Sequence, residues 1–282
     1  MKRPVLLIVA TALLALLCSC KGDFYYANSF LRKFERNKST ATEQIYVSLP
    51  REVLHTNSSL NTVPGFSLMS VREQDSVIAS LTHVLDKLDD SIFLAQFNQA
   101  FLFTLSRTRI PIVVVDHPSQ LPKADDQHFV INFVQFEAEE FVEPHRSDFR
   151  TKKGMYYAYD YDLRHFCTNV WIQLDARDSL GEVYFKNDEV EESFHGAITS
   201  IQDGKATLKT DFDRIDVNDA YRSARRLGSY CATLYVEKML TEYVCRSKGS
   251  TQYYFIYNPG YNAIEEILPY DEGVKDSFDK VQ

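Results

Sequence analysis

FVINFVQFEAEEFV, from Phe129 to Val142, is the stretch on which the fold turns. Successive side chains of a strand point to opposite faces, so a period of two assigns residues to faces. Val130, Val134, Phe136 and Ala138 share one face, and Phe129, Ile131 and Phe133 begin the other, which turns polar at Gln135, Glu137 and Glu139. One face stays apolar while the other becomes wet, which predicts a strand of a half-covered antiparallel sheet.

The segments on either side extend that sheet. Tyr159 to Leu174 reads as a second long strand and Gly181 to Asp188 as a third, joined by the turn Asp175 to Gly181. Asp203-Gly204 marks a further hairpin. Upstream, Ile45 to Leu49 is a first strand stopped by Pro50, Arg51 to Met69 a loop, and Ile112 to Val115 a short buried strand.

Helices are marked by caps and by 3.6-residue spacing. Ser70 and Glu73 have capping-box spacing, followed by a stripe of Val77, Ile78, Leu81, Leu85 and Leu88. Asp89-Asp90-Ser91 can cap a second helix carrying Ile92, Phe93, Phe97, Phe101 and Leu105. Asp216 to Asp219 opens the longest helix, with Ala220, Ala224, Leu227, Cys231, Leu234, Tyr235 and Met239 as its inner stripe. Tyr253 to Tyr257 reads as a last strand, and Asn258-Pro259-Gly260 as a turn. The expected fold class is α/β of the α+β kind: a mixed, largely antiparallel sheet covered by helices 70–106 and 218–246.

The N-terminus carries an address. Lys2 and Arg3 precede an apolar run from Pro4 to Leu17, then Cys18-Ser19-Cys20. The run is shorter than the roughly 20 residues needed to span a bilayer, and fits the apolar region of an export signal. Leu17-Cys18-Ser19-Cys20 resembles the lipobox of bacterial lipoproteins. That resemblance implies cleavage after Ser19, lipidation of Cys20, and a lipid-anchored place in the cell envelope. Lys21 follows Cys20, where an aspartate would resemble an inner-membrane retention signal, so the outer membrane is the expected destination. The expected organisation is a signal peptide at 1–19, a tether at 20–44 with an amphipathic turn at Phe30, Leu31 and Phe34, one globular domain at 45–270 and a loose acidic tail at 271–282.

Removing Lys2 and Arg3 with the signal moves the formal charge from −8 to −10. That acidic balance, without a basic cluster, argues against nucleic acid as a partner. Cys231 and Cys245 would lie about 21 Å apart on one helix, at about 1.5 Å per residue, so they cannot bridge each other. A bridge from Cys167 to either is open in an oxidising compartment, as are buried free thiols.

Motifs with chemistry are few. There is no Gly-x-Ser-x-Gly elbow, His-Glu-x-x-His, paired Cys or phosphate-cradling glycine loop. His165 and Cys167 share a strand face, but neighbours two apart sit about 6–7 Å apart, too far for a direct proton relay. Glu137, Glu139, Glu140, Glu143 and His145 form the densest polar group, with Asp160, Asp162 and His165 on the adjoining strand. If the two strands pair through the segment Pro144 to Met155, Glu139 or Glu143 can face Asp160 or Asp162. Such a pair could hold Ca²⁺ or do acid–base work, although a solvated sheet face needs no such role. The chain is also rich in Tyr and Phe, with 17 and 19 residues, types that dominate interfaces. Tyr156, Tyr157, Tyr159, Tyr161, Glu139 and Glu143 are the candidate contact residues. No catalytic or metal-ligating residue is singled out, and no cofactor is implied.

The hairpin Asn169 to Asp175, turn, Gly181-Glu182-Val183-Tyr184-Phe185 resembles a stretch of the CsgG/TolB-N-like envelope lipoproteins, a group with LpoB-type activators of penicillin-binding proteins. The whole chain also resembles uncharacterised lipoproteins of Bacteroides-type bacteria. Fold does not carry function, so the resemblance implies only a style. That style is a non-enzymatic, membrane-anchored lipoprotein that binds or assembles an envelope protein or glycan. A small-ligand or glycan-binding lipoprotein, or a hydrolase using a carboxylate pair, are the alternatives.

Overall fold

In chain order the elements are β1 (Tyr25–Tyr26), β2 (Gln44–Ser48), β3 (Leu54–Asn57), α1 (Val71–Leu81), α2 (Asp90–Ser106), β4 (Ile112–Val114), β5 (His128–Arg150) and β6 (Tyr156–Leu174). They continue with β7 (Val183–Glu191), β8 (Ser193–Gln202), β9 (Lys205–Asp213), α3 (Val217–Lys248), β10 (Tyr254–Asn258), β11 (Ala263–Ile267) and β12 (Asp279–Lys280). The structure, a computed structural model, describes residues 25–26, 44–124, 128–151, 154, 156–174, 182–203, 205–248, 254–260, 263–267 and 279–281. Residues 1–19, Cys20, the turn expected at Phe30 to Phe34 and the turn Asp175 to Gly181 lie outside the described residues.

The fold is α+β, built on a mixed sheet of order β12-β7-β6-β5-β2-β4, with β3 also alongside β5. β5, β6, β7 and β12 are antiparallel neighbours, whereas β2 and β3 run parallel to β5, and β4 runs parallel to β2. One face of the sheet is covered by helices. Phe97 meets Phe133 and Phe136 at ring-centroid distances of 5.3 and 4.7 Å, and Phe93 meets Phe136 at 5.2 Å. Each phenylalanine taken fully out of water contributes about 1.5–3 kcal/mol, so this row is a main source of the core's stability. α3 lies beside α2 over β6 and β7, with Ala220, Ala224, Leu227, Cys231, Leu234, Tyr235 and Met239 all buried as its spacing predicts.

Simple alternation along β5 fails at one point. Phe133 pairs with Ile172 and Gln135 with Trp171, so Val134 is an extra residue in a β-bulge. The bulge reverses the parity. The helix-facing set is Phe129, Ile131 and Phe133 before it and Phe136, Ala138 and Glu140 after it, while Val134 is 54% exposed. Phe136 and Ala138 therefore do not share a face with Val134, which corrects the period-two reading.

Four further expectations change. Glu73 does accept the Ser70 amide at 2.9 Å, but α1 has no buried residue, so within 70–106 the core is covered by α2 and by Val84 and Leu85 just before it. The loop expected from Arg51 to Met69 contains β3. β4 is an edge strand with half-exposed side chains rather than a buried one. The tail is not wholly loose, because Asp279 and Lys280 pair with β7. A second, small sheet of order β1-β11-β10 places buried Phe255 and Tyr257 against α3. The Tyr257 amide donates there to Glu237 at 2.9 Å.

Candidate functional site

The longest feature outside the body is an arm. β5 and β6 remain paired as far as Arg150 and Tyr156, whereas β3 leaves β5 at Glu140 and β7 leaves β6 at His165. Beyond those points the ribbon runs on for about 33 Å, at roughly 3.3 Å per residue. β8 and β9 form a two-stranded sheet of their own that packs on one face of this ribbon. Phe194 stacks on Tyr161 at 4.0 Å and on Tyr159 at 5.5 Å, and Phe212 meets Tyr161 edge-on at 6.1 Å. Burial alternates along β8 and β9, so each keeps one half-buried and one exposed face. Gly196 lets the layers close: a Cβ there would stand 2.6 Å from the Phe149 ring.

Where the arm joins the body, rings continue in a column. Tyr161 lies 5.9 Å from His145, His145 6.0 Å from His165, and His165 stacks 4.8 Å from Phe141. Strand register explains this column, because Phe141 pairs with His165 and His145 with Tyr161. His165 is only 4% exposed. Its Nδ1 lies 2.6 Å from Glu189 Oε1 on β7, and its Nε2 has no hydrogen-bond partner among the described residues. His145 Nε2 is likewise buried without a partner. Glu143 is exposed beside them, and one donor atom from each of Glu143, His145 and His165 lies within 4.8 Å of the others.

Further along the same sheet face, acids are matched by neutral donors. Glu139 accepts from Asn169 at 2.9 Å and from Ser58, and Glu137 accepts from Thr56. Cys167 pairs with Glu139 on one side and Glu189 on the other. Burial first, and then those carboxylates, push its thiol up to about 12, so it is a neutral thiol there. Cys167 and Cys231 are both free and buried, which leaves the bridge unformed between them; the Cys245 side chain is outside the described residues.

The opposite face holds a buried charge chain. Glu140 is fully buried and accepts amide hydrogen bonds from His83, Val84 and Leu85 at 3.0–3.1 Å. Arg164 Nε stands 3.2 Å from Glu140, and its Nη1 3.4 Å from the equally buried Glu192, which Arg214 meets at 2.6 Å. Two carboxylates and two guanidinium groups alternate, so the chain is neutral overall.

The expected carboxylate pair is not assembled. The β6 partner of Glu139 is Cys167 and that of Glu143 is Leu163; Asp160 and Asp162 pair with Arg146 and Pro144, on the other face. Tyr159 and Tyr161 are spent in the arm's own interior, and Tyr157 pairs with Phe149. Tyr156 remains 67% exposed, with Arg150 5.3 Å above its ring. The sequence groups Glu143 and His145 with His165, and the structure brings these three together; Glu189 on β7 is the partner that the sequence does not reveal. The Glu-x-His on β5, facing a histidine on β6, was the signal for the three.

A cleft of about 510 Å³ lies elsewhere, at the carboxyl ends of β2 and β4 beside the Val134 bulge, lined by Ser48–Leu54, Asp116–Pro118 and Phe133–Phe136. Open parallel sheets take ligands at such ends. Here two of the charged groups, Arg51 and Asp116, meet each other at 3.1 Å, and Glu52 also lines the cleft. Among the described residues no helix is long and apolar enough to cross a membrane. No family model matches the chain, and no curated protein matches it.

Proposed function

We propose that this chain is a lipid-anchored envelope protein, held through Cys20 at the outer membrane, whose domain binds or assembles a partner and performs no catalysis. The observation that carries this reading is the arm. Two antiparallel layers, β5–β6 and β8–β9, are held together by aromatic rings and extend past every other strand of the main sheet. Such a rigid projection costs ordering entropy that packing of the body does not require, and contact with another molecule accounts for it. Neither outer edge of the β8–β9 layer pairs with another described strand, and an unpaired edge can accept a partner's strand. The inward turn of Tyr159 and Tyr161 weighs against a glycan platform of stacked tyrosines. The cleft beside Val134 favours a second reading, a small-ligand carrier, with weaker chemistry.

The test places a photo-crosslinking residue in the full chain in its own cells, at Tyr156 or Lys209 on the arm and at Arg72 on α1. A discrete adduct from the arm positions, absent from Arg72 and lost in Cys20→Ala together with incorporation of labelled palmitate, is expected. Palmitate labelling that survives Cys20→Ala overturns the anchor, and adducts from α1 alone overturn the arm as the contact element.

A further inference from the structure

The geometry points to a binding site for a divalent first-row transition ion, of the zinc class, at the joint between arm and body, ligated by Glu143, His145 and His165. Glu143 and His145 come from β5 and His165 from β6, so a bound ion would cross-link the two strands at the point where the sheet narrows into the arm.

Four observations carry it. One donor atom from each residue already lies within 4.8 Å of the other two. Ligands of a tetrahedral zinc at about 2.0–2.1 Å stand roughly 3.3 Å apart, so small side-chain rotations complete the set, Glu143 being exposed and His145 half-buried. Second, both imidazoles keep a buried Nε2 with no hydrogen-bond partner among the described residues. A buried nitrogen without a partner costs free energy, and a metal ion meets that need. Third, Glu189 holds His165 Nδ1 at 2.6 Å. With the proton on Nδ1, the Nε2 lone pair is presented to a ligand, and this carboxylate–histidine arrangement orients and strengthens metal-binding imidazoles. Fourth, Glu191 stands 4.0 Å from the same Nδ1, and no described Lys or Arg is ion-paired with Glu143, Glu189 or Glu191. The local charge favours a cation.

Donor chemistry narrows the ion. Two imidazoles and one carboxylate suit zinc and its neighbours, whereas calcium and magnesium want oxygen ligands throughout. Cys167 lies two residues along the same face, but it is not among the side chains whose donor atoms converge within 4.8 Å, so it does not join the set. Three protein ligands would leave a fourth position for water or another donor.

The test uses the full chain, untagged, stripped with a chelator and titrated with Zn²⁺ alone; Co²⁺ serves as a spectroscopic probe of coordination. One ion per chain is expected, with tetrahedral Co²⁺ absorption and a rise in Tm on loading. Glu143→Gln, at an exposed position that leaves the core intact, and His145→Ala should each weaken binding by at least 10-fold. Glu189→Gln, which touches no metal, should weaken it about 10- to 100-fold, as loss of an orienting carboxylate does. Failure to bind one equivalent at micromolar concentrations overturns the proposal. So does affinity unchanged in the folded Glu143→Gln and His145→Ala variants, or a Co²⁺ spectrum of thiolate ligation.

Discussion

The carbonyl oxygen of Phe97 on α2 lies so close to Gly228 on α3 that a Cβ there would stand 2.4 Å from it. The same Cβ would meet the Phe101 amide nitrogen at 3.2 Å. Both obstacles are backbone and cannot swing away. Gly228→Ala should therefore lose about 1–3 kcal/mol through overpacking, outweighing the ~1 kcal/mol that alanine gains in helix propensity. Urea unfolding checks this: the midpoint should fall with an unchanged slope, and a raised midpoint would show that the helices separate freely.

The buried charge chain makes an ordered prediction. Arg164→Met strands Glu140 and weakens Glu192, both at most 1% exposed, and uncompensated buried charge costs about 3–5 kcal/mol. Arg214→Met leaves Arg164 in place and removes a side chain that is 56% exposed, so its cost should be clearly smaller. Paired denaturation curves decide the order, and equal costs would mean that Arg164 is not the central cation.

Helix entries set an acid-sensitive component. Hydrogen bonds from Ser91 and Ile92 hold the Asp89 carboxyl below its ordinary value, and the Asp219 and Asn218 backbone does the same for Asp216. A lowered folded pKa contributes stability that is present above the unfolded value of about 3.9 and is lost as pH falls through the folded one. The stability gap between the wild type and Asp89→Ala should thus be constant near neutrality and shrink below about pH 4. A gap that persists undiminished at acid pH would assign the effect to the uncharged hydrogen bonds alone.

The thiols should be inert in the native state. With Cys167 pushed up to about 12 and Cys231 higher still by burial, roughly one Cys167 in ten thousand is a thiolate at pH 8. Mass spectrometry after iodoacetamide treatment should find both unmodified until denaturant is added. Rapid native labelling of Cys167 would show that the β6–β7 face opens.

Much of this architecture was legible. The Phe93, Phe97, Phe101 and Leu105 stripe, the α3 stripe and the Asp203-Gly204 hairpin follow directly from periodicity and turn chemistry. The bulge had a signal that alternation alone conceals: phenylalanine spacing changes from four (129 to 133) to three (133 to 136), which one extra residue permits. α1 misled because its cap is real while its stripe is not needed, since α2 and α3 already fill that face. The joint was hidden by register. A segment read as looping from Pro144 to Met155 is in fact strand as far as Arg150 and again from Tyr156. The displaced turn slides β6 along β5, bringing His165 rather than an aspartate near Glu143 and His145.

Tyr25 and Tyr26 pair with Ile264 and Ala263. Were the lipid on Cys20, only four residues would separate it from that strand, a reach of no more than about 18 Å over five steps of about 3.6 Å. The stretch between residues 26 and 44 would then be an internal connection within the molecule, not its mooring line. The β1-β11-β10 sheet would ride close above the lipid headgroups, and the protein would meet its surroundings from a fixed height with a restricted swivel.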